Sequence, residues 1–379
     1  VRLNPVLESL STYPFVRLDE AKAAALARGI DLIDFGQGEP REETPAFIRR
    51  ALADAVEGQP VSTYPKAVGL PALREAIARW VARRYPGVVV DPDTEVVPTL
   101  GSKEAVFSMA EVVGGAAVAV TTPGYPVGAR GALFAGREVV ELPLDPGAGW
   151  LPDLDALSPD VLGRLGLLWL NYPNNPTGAT VPMALLERAA ALAREHDFVL
   201  ACDEAYSEVW FSGDAPAGAL QLADRTNVLV LNTLSKRSSM PGYRSGFVAG
   251  DPRLVAALKR YRPNVGTAPQ EFVQRASIAA WDDEAHVDEV RARYRRKRDL
   301  LWPALQAAGF RDVGGPATFF LWLATPGGED DEACAMRLLE EHGIVAAPGS
   351  YFGPGGAGHV RFALVPTPEA CEEAARRLG

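Results

Sequence analysis

Three apolar runs in this chain each break off into residues that can do chemistry. Residues 166–172, GLLWLNY, run into Pro173-Asn174-Asn175-Pro176-Thr177-Gly178. Residues 198–204, FVLACDE, deliver Asp203 and Glu204, with Ala205 and Tyr206 next. Residues 227–233, NVLVLNT, end in Thr233 and continue into Leu234-Ser235-Lys236, with Gly242-Tyr243-Arg244-Ser245-Gly246 close behind. In an open α/β sheet, ligands bind beyond the carboxyl ends of the strands, so an amide, a carboxylate, a phenol, a lysine and an arginine are expected to meet in one crevice. Singly, each has a plainer reading: Asn175 as a turn residue, Asp203 as a strand-end carboxylate paired with an arginine, Lys236 as an exposed loop lysine. Together those readings weaken, because a lysine at a strand end between hydroxyls and an arginine is an unusual structural choice.

The set suits pyridoxal 5′-phosphate. A partly desolvated lysine has a lowered pKa and condenses with an aldehyde. A carboxylate keeps a pyridine nitrogen protonated, which makes the ring an electron sink. A phenol and an amide can hydrogen-bond the ring oxygen. A hydroxyl and an arginine eight residues beyond the lysine can hold a phosphate.

These groups need a scaffold. Short apolar runs alternate with helical patterns, which reads as α/β with a largely parallel sheet. Candidate strands are 95–100, 116–122, 166–172, 198–204, 227–233 and 245–250; candidate helices are 71–85, 183–196 and 251–261. Continuous apolarity suits strands covered on both faces. From about residue 280 the texture changes to one long charged amphipathic helix, 284–308, then a strand at 318–324, a helix at 331–343 and a strand at 359–365. The division expected is a loop-rich arm over 1–45 packing on a small domain, a large cofactor-binding domain over 46–280, and a small α+β domain over 281–379.

Composition excludes several classes. A length of 379 residues implies roughly two or three domains, or one large domain with a satellite. The net charge of −10 repels phosphate backbones and anionic membranes, so no nucleic-acid partner is expected. No apolar run is long enough to span a membrane, and residues 1–10 lack the build of a signal peptide. Cys202, Cys334 and Cys371 are odd in number and scattered, which favours a cytoplasmic setting. The histidines, His196, His286, His342 and His359, lack metal-binding spacing, and no metal is expected. Gly353–Gly358 fits G-x-G-x-x-G but precedes a strand and contains Pro354, so it does not read as a dinucleotide cradle.

From FGQGEP through YPKAVGLPALREAI, LGSKEAVF, PGYP, NNPTG, DEAY and SKRSSMPGYRSGF to HVRFAL, the chain resembles the fold-type I pyridoxal-phosphate enzymes, specifically the class I/II aminotransferases. The resemblance runs from about Gly36 to Thr367. It implies a large domain with a mostly parallel, seven-stranded type of sheet flanked by helices, plus a smaller α+β domain. It implies that Lys236 bonds the cofactor aldehyde and shuttles the proton, and that Asp203 pairs with the pyridinium nitrogen. Tyr206 and Asn175 would bond the ring hydroxyl oxygen, and Tyr125 would stack on the ring. Ser102 and Lys103, at a helix start, would offer backbone amides to the phosphate, completed by Thr233, Ser235 and Arg244. Tyr64 would reach the phosphate of a partner subunit, which implies a homodimer. Arg361 would grip the substrate α-carboxylate, with Gly38 in the loop closing over it. The chain departs from the family pattern at Thr233, where Gly or Ser is commoner, and at Ser245.

Segments around residues 233–252, 262–277 and 346–367 resemble N-succinyl-diaminopimelate aminotransferases of the lysine and cell-wall branch. That substrate ends in a distant carboxylate, so a second cation is expected, from Arg41, Lys66, Arg237 or Arg262. Aspartate, aromatic and alanine aminotransferases share every motif quoted, and a pyridoxal-phosphate β-lyase would use the same lysine.

Overall fold

A run of apolar residues without polar alternation has two faces to bury, and such runs form the centre of this fold. The computed structural model describes residues 1–9 and 15–379. A short β1 (Ile33–Asp34) precedes a sheet built from β2 (Val96–Thr99), β3 (Ala117–Thr122), β4 (Glu138–Asp145), β5 (Leu151–Pro152), β6 (Leu165–Asn171), β7 (Val199–Asp203), β8 (Val228–Thr233) and β9 (Gly246–Gly250). Their order is β2-β9-β8-β7-β6-β3-β4-β5. The pairs β3–β4, β3–β6, β6–β7 and β7–β8 are parallel, and β2–β9, β8–β9 and β4–β5 are antiparallel. The sheet is thus mostly parallel, with one strand beyond the seven expected, the two-residue β5 at an edge. β4 escaped the sequence reading because its residues alternate between exposed and covered, whereas every residue of β7, β8 and β9 is buried.

Strand order reverses between β6 and β3. Chain connections leave that point in both directions, so a crevice opens at the carboxyl ends of the two strands. Helices seal both faces. Helix Pro71–Arg84 starts with a proline at its first position, where no amide partner is lost, and buries Leu73, Ile77 and Trp80. Trp80 meets Trp281 of helix Glu271–Asp282 at 4.9 Å between ring centres. Emptying that contact by Trp80→Ala is worth about 3–5 kcal/mol. On the opposite face Val106 and Met109 of helix Gly101–Val112 pack over Val118, Leu167 and Leu229.

The long charged helix runs over Ala285–Ala307 and packs against helix Pro368–Leu378. It leads into β10 (Arg311–Asp312), β11 (Phe320–Ala324), β12 (Ile344–Val345), β13 (Ala347–Pro348) and β14 (His359–Ala363). Four of these form an antiparallel sheet in the order β10-β11-β14-β13, while β12 pairs in parallel with β1.

The first 45 residues are less loop-like than expected: the described part holds helices Pro5–Ser9 and Phe15–Ala27. The second is rich in alanine and other good helix formers, and Leu18 and Ala25, seven positions apart, fall on one face. That face packs on Leu339 and Val345.

Candidate active site

Tyr125, Asn175, Asp203, Tyr206, Lys236 and Arg361 line one cavity of about 640 Å³ at the ends of the parallel strands. Gly38, Ser102, Lys103, Thr233, Ser235 and Arg244 line it too. Strand register explains part of the convergence. Asn171 stands opposite Asp203 in the β6–β7 pair, and its Nδ2 donates to the Asp203 carbonyl at 2.8 Å. Its Oδ1 accepts the Asn175 amide at 3.0 Å, so one strand-end side chain orients two of the expected residues. Asn171 was missed in the sequence; its signal is an amide ending a buried strand four residues before Asn175.

Lys236 sits in the short helix Leu234–Arg237, capped by the Thr233 hydroxyl. Its Nζ donates to the Gly38 carbonyl at 2.6 Å and lies 5.4 Å from the Phe319 ring centre. Removal from water, reinforced by the positive charges of Arg361 and Arg244, brings its pKa down to about 7, against the opposing pull of Glu39 and Asp203. Asp203 is 6% exposed, and among the described residues its carboxylate accepts only the Ala205 amide, at 3.3 Å. Burial pushes its pKa up to about 7. Burial also raises the Tyr206 phenol, whose ring meets Phe319 and Phe320 edge-on at 5.6 and 5.4 Å.

The opposite wall offers donors. Helix Gly101–Val112 begins beside the cavity, and first-turn amides of a helix lack intrahelical partners. Gly101 has φ +70°, and a Cβ there would stand 2.6 Å from Nη2 of Arg244, so only glycine lets the guanidinium lie against this turn. The two departures from the family pattern touch each other: Thr233 Oγ1 donates to the Ser245 carbonyl at 2.9 Å. With its single proton engaged there, Thr233 acts as an acceptor toward Ser235, whose Oγ is 2.9 Å away. The Ser235 hydroxyl therefore gives its one proton to Thr233, or by rotating to a ligand in its place.

Arg361 is delivered by β14, directly opposite Trp322 and Ala347 in its two neighbours. Its Nη1 donates to Asn175 Oδ1 and its Nη2 to the Gly36 carbonyl, both at 2.8 Å. The rings of Phe320 and Phe352 lie 4.3 and 4.6 Å from the guanidinium carbon. Gly38 is required by proximity: a Cβ would meet the Phe320 ring at 2.8 Å.

The expectations for a distal cation are corrected. Arg237 is 1% exposed, bonded to Glu284 and the Ala280 carbonyl and lying over Trp281, so it braces the scaffold and does not face a ligand. Arg262, equally buried, pairs with Glu104. Arg41 pairs with Asp34 at 3.3 Å, and neither it nor the exposed Lys66 lines the cavity. Tyr64 is fully exposed and away from the cavity of its own chain. Asp19, Gln37 and Glu39 line the cavity without having been foreseen: the packing of helix Phe15–Ala27 brings Asp19 there, while Gln37 and Glu39 flank Gly38 in its loop. Among the described residues no cluster of three or more His, Cys, Asp or Glu could hold a metal ion, and no helix is long and apolar enough to cross a membrane.

This donor set fits pyridoxal 5′-phosphate. A buried carboxylate bonded to no cationic side chain is matched by a protonated ring nitrogen, Lys236 is positioned as the aldehyde's amine, and the Gly101 turn with Ser235 and Arg244 suits the phosphate.

Comparison with known proteins points the same way. Residues 30–378 match the family described as aminotransferase class I and II. An LL-diaminopimelate aminotransferase of Nitratidesulfovibrio vulgaris (strain DP4) is 38% identical over 382 residues, covering 100% of this chain and 98% of the relative. The crystal structure of an aminotransferase from Neisseria meningitidis Z2491 has a TM-score of 0.92 at 37% identity, over 99% of both chains. A probable N-succinyldiaminopimelate aminotransferase of Thermus thermophilus has a TM-score of 0.88 at 33% identity, over 96% of this chain and 98% of that one.

Proposed function

This chain belongs to the class I and II aminotransferases, which are pyridoxal-phosphate-dependent transferases, and on that premise we propose that it moves an amino group from LL-diaminopimelate to a 2-oxo acid, 2-oxoglutarate. The observation that carries this reading is the meeting of Lys236, Asp203 and Arg361 in one cavity, with Arg361 already oriented by Asn175.

When bound, the cofactor supplies an aldehyde that captures amines and a protonated ring that takes up the electron pair left by the departing α-proton. The chain does the rest. Asp203 would hold the proton on the ring nitrogen, its buried carboxylate being stabilised by the charge it then faces. Tyr206 and the Nδ2 of Asn175 would donate to the ring hydroxyl oxygen, and Tyr125 would pack on the ring. The amides of Ser102 and Lys103, with Ser235 and Arg244, would hold the phosphate, and Tyr64 of a partner subunit would complete that cradle in a homodimer. Arg361 grips the α-carboxylate as a two-pronged donor, its orientation already set by Asn175 and Gly36. Phe320 and Phe352 keep water from that pair. Near pH 7 Lys236 Nζ is in part uncharged, and as the free amine it would accept the proton that leaves the substrate α-carbon.

The same placement supports a division into an arm (1–45), a cofactor-holding part (46–280) and a carboxylate-gripping part (281–379); the scattered cysteines, all free, suit an enzyme working in the cytoplasm.

The unacylated donor is preferred over its N-succinyl derivative on one observation. None of the four expected distal cations lines the cavity, whereas the carboxylates of Asp19 and Glu39 do. Those charges suit a free ammonium and oppose an added succinyl carboxylate. The test offers L-glutamate, LL-diaminopimelate and N-succinyl-LL-diaminopimelate separately to the cofactor-loaded protein and follows loss of its visible absorbance. The reading expects bleaching by glutamate and LL-diaminopimelate. Bleaching by the succinyl compound in preference to LL-diaminopimelate overturns the substrate, and no bleaching by any donor overturns the transaminase.

A further inference from the structure

The turn that carries Lys236 is tied to the start of helix Ala285–Ala307 by a hydrogen-bond chain that the reaction itself does not use. Ser238 Oγ lies 2.8 Å from His286 Nε2, and His286 Nδ1 lies 2.6 Å from Asp283 Oδ1. Asp283 Oδ1 also accepts the His286 amide, at 3.0 Å. A carboxylate has no hydrogen to give, so Nδ1 carries the ring hydrogen, Nε2 is the acceptor, and Ser238 donates. Burial lowers the imidazole pKa, and bonds from His286 hold the Asp283 carboxyl low despite partial burial, in keeping with a neutral ring beside a charged acid. The order Ser–His–Asp is that of a hydrolase triad, but Ser238 is 0% exposed, so no substrate reaches its hydroxyl.

We propose that His286 is a positioning residue, which holds the Lys236 turn against the long helix and thereby keeps water from the lysine amine. The neighbouring bonds make this a closed circuit. Arg237 bonds the Ala280 carbonyl and Glu284, each at 2.9 Å, and Thr44 Oγ1 donates to the Ser239 carbonyl at 2.6 Å. The long helix holds Glu42 through Arg293, at 3.0 Å, and through the fully buried Lys297. Glu42 belongs to the same stretch whose Gly38 carbonyl accepts Lys236 Nζ and whose Gly36 carbonyl accepts Arg361. Of these links, Ser238–His286 joins two short side chains without slack, whereas the arginine links can re-form through other rotamers.

The charged groups around the imidazole are Asp283 and Glu289 beside it, Arg237 on the lysine turn, and Glu42, Glu43, Arg49, Arg50, Arg293 and Glu369 around the adjoining cavity. Those facing the lysine are Arg361, Arg244, Glu39 and Asp203. Loosening the turn lets water reach Nζ and relieves the dominant cause of its lowered pKa, so the lysine moves back toward its ordinary value.

The test measures Lys236 in the cofactor-free protein, from the pH dependence of its labelling by trinitrobenzenesulfonate, located by peptide mapping. Ser238→Ala removes one buried oxygen, and His286→Asn keeps a donor for Asp283 but does not reach Ser238. Both are expected to raise the labelling midpoint by about half a unit or more. His286→Gln, whose Oε1 can still accept from Ser238, is expected to raise it less. A merely structural bond would lower Tm and leave the midpoint in place, and an unmoved or lowered midpoint in Ser238→Ala overturns the proposal even where the histidine variants do not fold. The inference rests on Lys236 as the reacting amine. Failure of wild-type transamination would remove that premise, whereas an active wild type with an unmoved Ser238→Ala midpoint removes only the role of His286.

Discussion

Nη1 of Arg361, on β14, donates to Oδ1 of Asn175, just beyond β6, at 2.8 Å across 186 positions of the chain. The bond fixes which way the amide points: with Oδ1 taken, Nδ2 is the atom left for a ligand. It also preorients the guanidinium, whose Nη2 is held by the Gly36 carbonyl.

Arg361→Lys therefore removes more than one hydrogen bond, since an ammonium cannot reproduce the planar two-pronged donor. Steady-state kinetics with LL-diaminopimelate should show kcat/KM lower by about 2–5 kcal/mol, roughly 30- to 4,000-fold, while cofactor affinity changes little. An equal loss of cofactor affinity would move Arg361 out of the substrate's binding site.

Asp203→Asn keeps the shape of the strand end and removes the charge. The variant should fold and take up cofactor, yet turn over at least about a hundredfold more slowly, because the ring nitrogen no longer keeps its proton. Comparison of single-turnover rates with the wild type decides this.

The two perturbed groups act on stability in opposite directions. The folded Asp203 carboxyl titrates near 7 and the unfolded one near 3.8, so the folded state binds the extra proton between these values, and this contribution is lost as pH rises through 7. The folded Lys236 amine titrates near 7 and the unfolded one near 10.5, so the unfolded state binds the extra proton, and stability from this group is regained as pH rises from 7 toward 10.5. Melting curves of the cofactor-free protein against pH should show Asp203→Asn flattening the acid side and Lys236→Met flattening the alkaline side.

Gly38→Ala places a methyl group 2.8 Å from the Phe320 ring that covers Arg361. The ring must shift, at a cost of about 1–3 kcal/mol. The expected signature is a raised KM for amino donors in a protein that remains folded, read from kinetics beside a thermal melt.

What the sequence discloses follows from where each contribution resides. Asn175, Asp203 and Lys236 are legible because each follows a buried apolar run, and a strand end in a parallel sheet is a known address. Asn171 is hidden by its own strand. The carbonyls of Gly36 and Gly38 act through backbone, which carries no residue signature. Asp19 depends on how the Phe15–Ala27 helix packs, which its helix-forming composition does not announce. Arg237 and Arg262 misled for the reverse reason: a charge in sequence says nothing of the Glu284 and Glu104 that bury it. Helix Glu271–Asp282 went unnoticed because its buried face is largely alanine, serine and glutamine, closed by a single Trp281.

The most direct test of the central claim is borohydride reduction of the cofactor-loaded protein followed by proteolysis and mass spectrometry. With Lys236 as the reacting amine, the reduced cofactor is found on the peptide containing Lys236, on its Nζ. Label on Lys103 or any other lysine, or on none, removes Lys236 from that role.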